Sequence, residues 1–313
     1  MLVSVIIPYY QDFSGLNKCL HSLRENEPSF ESLSLSDAFK GADFELIIID
    51  NGDSPSISKE DFNWERVKVF HEPIPGSYAA RNKGIDKALG EYLFFTDADC
   101  RADVNWLMNG LKAVRAGEKV IGGNISLISD SQNTWSSLEK YEKAFFFQQA
   151  HYIKNEQYAA TANLIVSKRI MNKVGLFDAS LRSGGDQDWG KRAHLLNVDF
   201  SFCKDIIVFH PTRKNLKSFI KRNIRVSSGN LYLFYRSQGL TWEFLWQKII
   251  FLLNPQSFRK WNANWEYFET LSSNEQRRIK QYHYFFCLLE GLVLLIGKLS
   301  FKRLKKMTLI DRS

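Results

Sequence analysis

Two carboxylates, Asp97 and Asp99, stand two residues apart at the end of the apolar run Tyr92-Leu93-Phe94-Phe95-Thr96. The run predicts a buried strand, and alternation along a strand sends both acids to the same side. Such a pair repels itself unless a cation lies between, and hard Mg²⁺ or Mn²⁺ suits oxygen ligands. A solvated strand-end turn would have the same sequence. Three further polar groups sit where chemistry could use them. Tyr10 follows the apolar strand Val3–Ile7, where it could stack on a base or pack. Asp50 ends the run Phe44–Ile49 and could accept from a base or ribose, or cap its own turn. Arg81 opens a helix at Ala79–Ile85, a place suited to a diphosphate or base edge.

These groups need a frame that gathers strand ends. Val3–Ile7, Phe44–Ile49, Val67–Phe70 and Tyr92–Thr96 read as strands. Gly15–Glu25, with Leu16, Leu20 and Leu23 at helical spacing, and the segment opening at Ala79 read as helices. The polar stretch Asn26–Asp43 reads as a loop or short helix. The order strand, helix, strand, strand, helix, strand is that of an α/β nucleotide-binding sheet, whose ligands lie beyond the carboxyl ends of its strands. No Gly-x-Gly-x-x-Gly follows the first strand and no Walker loop occurs, which argues against dinucleotide and ATP-hydrolase chemistry.

At 313 residues and 44% hydrophobic content the chain can bury a large core. Its four cysteines, Cys19, Cys100, Cys203 and Cys287, form no Cys-x-x-Cys pair, so a reducing compartment and no zinc site are expected. The opening Met1–Pro8 has neither the basic lead nor the apolar length of an export signal. The net charge of +8 is uneven: residues 211–313 carry 19 Lys+Arg against 6 Asp+Glu, while residues 1–210 carry 23 against 28. A basic rear part suits an anionic surface.

Five linked motifs carry a family resemblance: Ser4-Val5-Ile6-Ile7-Pro8-Tyr9-Tyr10, Ile49-Asp50-Asn51-Gly52, Gly76 with Ala80-Arg81-Asn82-Lys83-Gly84, Thr96-Asp97-Ala98-Asp99, and Ser183-Gly184-Gly185-Asp186-Gln187-Asp188-Trp189 with Arg192. In this order and spacing, from about Leu2 to Pro211, the chain resembles the family 2 inverting glycosyltransferases of the bacterial polysaccharide type. The resemblance implies a GT-A fold, two abutting Rossmann-like halves around a mixed central sheet, and a nucleotide-diphosphate sugar donor, a UDP-sugar first, held through Mn²⁺ or Mg²⁺. It assigns the nucleoside to Pro8, Tyr10, Asp50 and Arg81, the ribose side to Asp97 and the metal to Asp99. It makes Asn163, in Ala160–Val166, a donor-sugar contact, and His210 a further metal ligand, although a structural strand-end His reads the same way. The chain departs from the family at Asn51, where an acid is often found, at Cys100, where an Asp is frequent, at Gly185, where a Glu often precedes the base, and in the long Asn26–Asp43 insertion.

Inverting transfer needs a carboxylate beside the acceptor hydroxyl. Asp186, exposed by the Ser183–Gly185 turn before a helix, is the expected base, with a simple helix N-cap as the other reading. Asp188 is the rival, but four residues before Arg192 it would be paired. The aromatic run Tyr141–Tyr152 is expected to pack under a loop.

The expected division is a catalytic domain over residues 1–211 and a basic, aromatic-rich helical extension over 212–313. The most apolar stretch of the extension, Tyr284–Ile296, is 13 residues long and holds Glu290. That is short of the roughly 20 residues a span needs. With Lys298, Lys302, Arg303, Lys305 and Lys306 after it, it suggests a peripheral enzyme on the cytoplasmic face of a membrane, acting on a glycan or lipid-linked acceptor; a solvated basic cap is the plainer reading. A nucleotidyltransferase would need a Gly-rich basic loop where Pro8-Tyr9-Tyr10-Gln11 stands. An inactive nucleotide-sugar-binding or membrane-adaptor protein would lack the metal or base carboxylate. No nucleic-acid motif is present.

Overall fold

The computed structural model describes residues 1–299 apart from 37–38, 118–119, 130–134, 214, 240, 255–257, 259–260 and 262. Lys302, Arg303, Lys305 and Lys306 of the basic cluster lie outside the described residues.

Eight strands form one mixed sheet: β1 Leu2–Tyr9, β2 Asp43–Asp50, β3 Val67–His71, β4 Tyr92–Thr96, β5 Arg101–Ala102, β6 Val120–Ile128, β7 Asn163–Ser167 and β8 Phe200–Pro211. Their order is β3-β2-β1-β4-β7-β6-β8-β5. The first four are parallel, with Tyr9 opposite Asp50 and Ile6 opposite Phe95. β7 runs antiparallel to β4 and β6, β6 is parallel to β8, and β5 pairs antiparallel with β8. The connections after β1 lead one way, to β2 and β3, while β4 adds on the other side. The carboxyl ends of β1 and β4 therefore flank a switch point, where such sheets leave a crevice.

Strand alternation divides the core. Val3, Val5 and Ile7 face the helices Phe13–Arg24 and Trp106–Arg115, while Ile6, Ile47, Ile49 and Phe95 face the helices Ser77–Lys87 and Gly185–Leu195. The Asn26–Asp43 insertion contains a helix, Glu27–Ser34, that buries Phe30 against Phe44. The chain is α/β with C-terminal helices, as the GT-A expectation has it.

Beyond the sheet follow the helices Leu216–Gln238, Trp242–Leu253, Trp265–Glu269 and Ser273–Leu299. The aromatic run does not lie under a loop. Its first part is a helix, Ser137–Phe145, whose Tyr141 stacks on Phe286 and meets Phe219, so it joins the sheet to the C-terminal helices. The apolar stretch lies within a helix of 27 residues, because the polar segment from Ser273 is helical too. That helix is long and apolar enough by composition to cross a membrane, yet its inner side packs through Cys287 and Leu294 on Leu245, Ile249 and Leu252.

Candidate active site

A cavity of about 980 Å³ opens at the switch point. Pro8 and Tyr10 line it from the end of β1, Asp97 and Asp99 from the end of β4, Asp186 from the helix Gly185–Leu195 and His210 from β8. Strands that pair only in the folded sheet thus bring these six residues to one space.

Arg81 is buried in the second turn of the helix Ser77–Lys87 and donates from Nη2 to Asp97 Oδ1 at 2.5 Å. Its Nε is buried without a partner among the described residues. Asp97 is therefore held on one side by a fixed cation. Asp99, beside it, is pushed up by burial and by the Asp97 charge, against His210 and Arg213. His210 Nδ1 lies 2.8 Å from the Pro211 carbonyl, which can only accept, so Nδ1 carries a proton and the tautomer of the neutral ring presents the Nε2 lone pair to the cluster. Nε2 is 3.8 Å from Asp99 Oδ2. Ligand atoms of Asp97, Asp99, His210 and Cys100 all lie within 4.8 Å of one another. Two carboxylates and an imidazole fit a hard divalent ion. Burial raises the Cys100 thiol well above its usual range, so it stays protonated and is a poor ligand.

Asp186 lies two residues after Gly184, whose φ of 84° turns the chain into the helix. Its oxygens accept from Thr161, through the backbone N–H at 3.2 Å and the hydroxyl at 3.3 Å, and from the Tyr78 hydroxyl. Burial raises its pKa, with Arg81, Thr161 and Tyr78 acting against the rise and Asp97 adding to it. Asp188 is committed elsewhere, accepting from Arg192 Nε at 3.0 Å. The C-terminal helices brace this turn: Gly229 of the helix Leu216–Gln238 approaches so closely that a Cβ there would meet the Ser183 carbonyl at 2.9 Å.

Two expected donor contacts are not brought to the cavity. The Asp50 carboxylate is fully engaged by its own turn, accepting from the backbone N–H groups of Gly52, Ser56 and Ile57 and from the Ser56 hydroxyl. Asn163, buried at the start of β7, accepts from Trp106 Nε1 and donates to the carbonyls of Asn124 and Ile206. Asn51 is explained in the same way: its amide donates to the Glu72 and Ile74 carbonyls and accepts from Gly76 N–H, and an Asp could not make the two donations.

Sequence reasoning missed Tyr78, Thr161, Arg213, Arg222 and Arg225, all of which line the cavity. Arg222 and Arg225, three apart in the basic helical extension expected over 212–313, carried a legible signal.

Residues 4–175 match the profile of Glycosyl transferase family 2. The chain belongs to this family. It is 30% identical over 235 residues to glycosyltransferase AglE of Haloferax volcanii, covering 73% of each chain. It is 22% identical over 242 residues to the dolichyl N-acetyl-alpha-D-glucosaminyl phosphate 3-beta-D-2,3-diacetamido-2,3-dideoxy-beta-D-glucuronosyltransferase of Methanococcus voltae, covering 71% of this chain and 70% of that one. Among solved structures, S. aureus TarS 1–349 in complex with UDP-GlcNAc shares the fold, with a TM-score of 0.51 and 15% identity over 97% of this chain and 92% of that one. The protein is a glycosyltransferase of the GT-A type.

Proposed function

We propose that this glycosyltransferase moves a sugar, with inversion, from a nucleotide-diphosphate sugar to a hydroxyl of a glycan or lipid-linked acceptor, with Asp186 as general base. One observation carries the reading: Asp186 and the Asp97–Asp99–His210 cluster line the same cavity, with Arg81 between them electrostatically. A UDP-sugar is the donor of first choice, since the TarS structure of like fold holds UDP-GlcNAc. The lipid-linked acceptor draws on the Methanococcus voltae relative, whose name gives a dolichyl-linked sugar phosphate.

The chain's own residues supply most of the step. Pro8 and the exposed Tyr10 offer a face to the nucleoside, and Asp97, fixed by Arg81, an acceptor to the ribose. Thr161 and Tyr78 orient the Asp186 carboxylate, and its raised pKa makes it a stronger base than a free aspartate. It takes the acceptor proton as the hydroxyl oxygen bonds to the anomeric carbon and the nucleoside diphosphate leaves from the opposite face. Mn²⁺ or Mg²⁺, which Asp99 and His210 would hold, contributes positive charge near the leaving diphosphate when bound.

The division into a catalytic part, residues 1–211, and a helical extension, 212–313, goes with a peripheral place on the cytoplasmic face of a membrane. Trp242, Trp246, Ile250 and Leu253 form one exposed stripe on their helix, and Phe285, Leu288, Leu292, Ile296 and Leu299 form another on the packed neighbour. Apolar stripes on a basic extension suit an anionic leaflet.

The test is a thermal-shift and hydrolysis screen against UDP-, GDP- and dTDP-sugars with and without Mn²⁺ or Mg²⁺, followed by NMR of the anomeric product. Metal-dependent stabilisation by one donor, lost in Asp99→Asn, with an inverted product, is expected. Response to no donor, or a retained anomeric configuration, would refute the reading.

A further inference from the structure

The cavity does not end at the carboxylates. It continues among residues of the C-terminal helices, where Arg222, Trp261, His283 and Phe286 line it. Arg222 is the anomaly there. Its guanidinium carbon lies 3.9 Å from the centroid of the Phe146 ring, and its Nη1 is buried with no hydrogen-bond partner among the described residues. Glu142, the carboxylate that acts on it, is already engaged by Arg213, which reaches one oxygen through its backbone N–H at 2.8 Å and the other through its guanidinium. Burial, then the neighbouring charges of Arg213 and Arg225, pull Arg222 down to about 10, against Glu142 and Tyr152. A cation held out of water without a full counter-charge is costly, and the cost is removed by an anionic ligand.

We propose that Arg222 seats a phosphate group carried by the acceptor, whose apolar chain lies along the aromatic wall of Tyr141, Phe145 and Phe286. This deepens the lipid-linked acceptor reading above and rests on it. Two observations assign the phosphate to the acceptor rather than the donor. The charges that act most on Arg222 are Arg213, Glu142, Tyr152 and Arg225, whereas those acting on Arg225 include Asp186 and Asp97. Arg225 thus faces the base and metal cluster, and Arg222 lies on the helical side. Phe146 also lies against the Arg222 guanidinium, and Tyr141, Phe145 and Phe286 line the same cavity, which suits a phosphate ester of a hydrocarbon better than a sugar nucleotide.

Calorimetric binding of farnesyl phosphate, farnesol and Mn²⁺-UDP to the full chain, with Tm for each variant, tests the seat. In the wild type, farnesyl phosphate is expected to bind roughly tenfold or more tightly than farnesol, the scale of a charge-assisted hydrogen bond. Arg222→Met should lose that preference, keep its UDP affinity, and keep or raise Tm because an isolated buried charge has gone. Arg222→Lys should retain part of the preference. Equal binding of the phosphate and the alcohol by the wild type would overturn the proposal. So would a fall in UDP affinity as large as the loss of farnesyl phosphate, since the seat would then belong to the donor, or a steep drop in Tm, since Arg222 would then be structural. UDP failing to bind the wild type would instead bring down the transferase reading beneath it.

Discussion

A Cβ on Gly185 would come within 2.7 Å of the Tyr78 ring carbons, so that ring fills the space a side chain at 185 would need. The same tyrosine donates its hydroxyl to Asp186, the next residue. Where the family resemblance leads one to expect an acid before the proposed base, this chain carries an aromatic ring from the helix Ser77–Lys87. Gly185→Ala must therefore displace Tyr78, and with it the orientation of Asp186. We expect kcat to fall roughly tenfold to a hundredfold, the cost of a small misplacement in a positioned site, with donor KM little changed. Steady-state kinetics check this, and the double variant with Tyr78→Ala, which removes the clash, should lose no more than Tyr78→Ala alone.

The base proposed at Asp186 can act only when ionised, and burial raises its pKa. Activity should therefore fall as pH drops through a midpoint above the ordinary aspartate value of 3.8. The Tyr78 hydroxyl opposes that rise, so Tyr78→Phe should move the acid limb to still higher pH. Asp186→Asn should cost about a hundred- to ten-thousand-fold in kcat, the range of a lost general base, while Tm holds. A pH profile unmoved in Tyr78→Phe would separate the two residues.

The parts of this site that could be read from sequence are those fixed by strand chemistry. The apolar run predicts the strand that carries Asp97 and Asp99 to a sheet edge, because strand pattern is local; the two acids follow Thr96 in a turn closed by Cys100 N–H on the Asp97 carbonyl at 3.0 Å, so the turn rather than alternation pairs them. Asp188 and Arg192 were legible for the same reason: a helix places them side by side, and they lie 3.0 Å apart. Asp50 was not, since a strand-end Asp can face a ligand or its own turn, and the choice was made by the backbone of Gly52–Ile57. Asn163 was assigned by likeness, but the Trp106 indole and two carbonyls from β6 and β8 claim its amide. Arg222 needed the packing of three distant segments before its buried Nη1, without a hydrogen-bond partner among the described residues, could be seen.

His283 lies within a ring of aromatics, 4.7 Å from Trp261 and 5.0 Å from Phe145 and Phe258 between centroids. Burial lowers its pKa from 6.5 to about 4. Between those values the unfolded chain takes the proton and the folded chain does not. The stability it contributes is present above pH 6.5 and is lost as pH falls toward 4, by roughly 3 kcal/mol at most. Urea unfolding across this window should show the decline, and His283→Phe should flatten it.

The two apolar stripes make the last prediction. Leu245, Ile249 and Leu252 on one helix and Cys287 and Leu294 on the other turn inward and hold the pair together, so the outward residues are not needed for packing. Trp246 and Ile250 are 55% and 65% exposed, and neither lines the cavity. Replacing both with Glu should leave Tm and donor hydrolysis in solution near the wild-type values. It should nonetheless abolish sedimentation with anionic liposomes, because acids on that face both lose apolar burial and meet a negative surface. Raised salt should weaken wild-type binding only in part, since an inserted apolar stripe is not screened. Wild-type protein that stays wholly in the supernatant at low salt would remove the membrane from the account and leave the stripes to another partner.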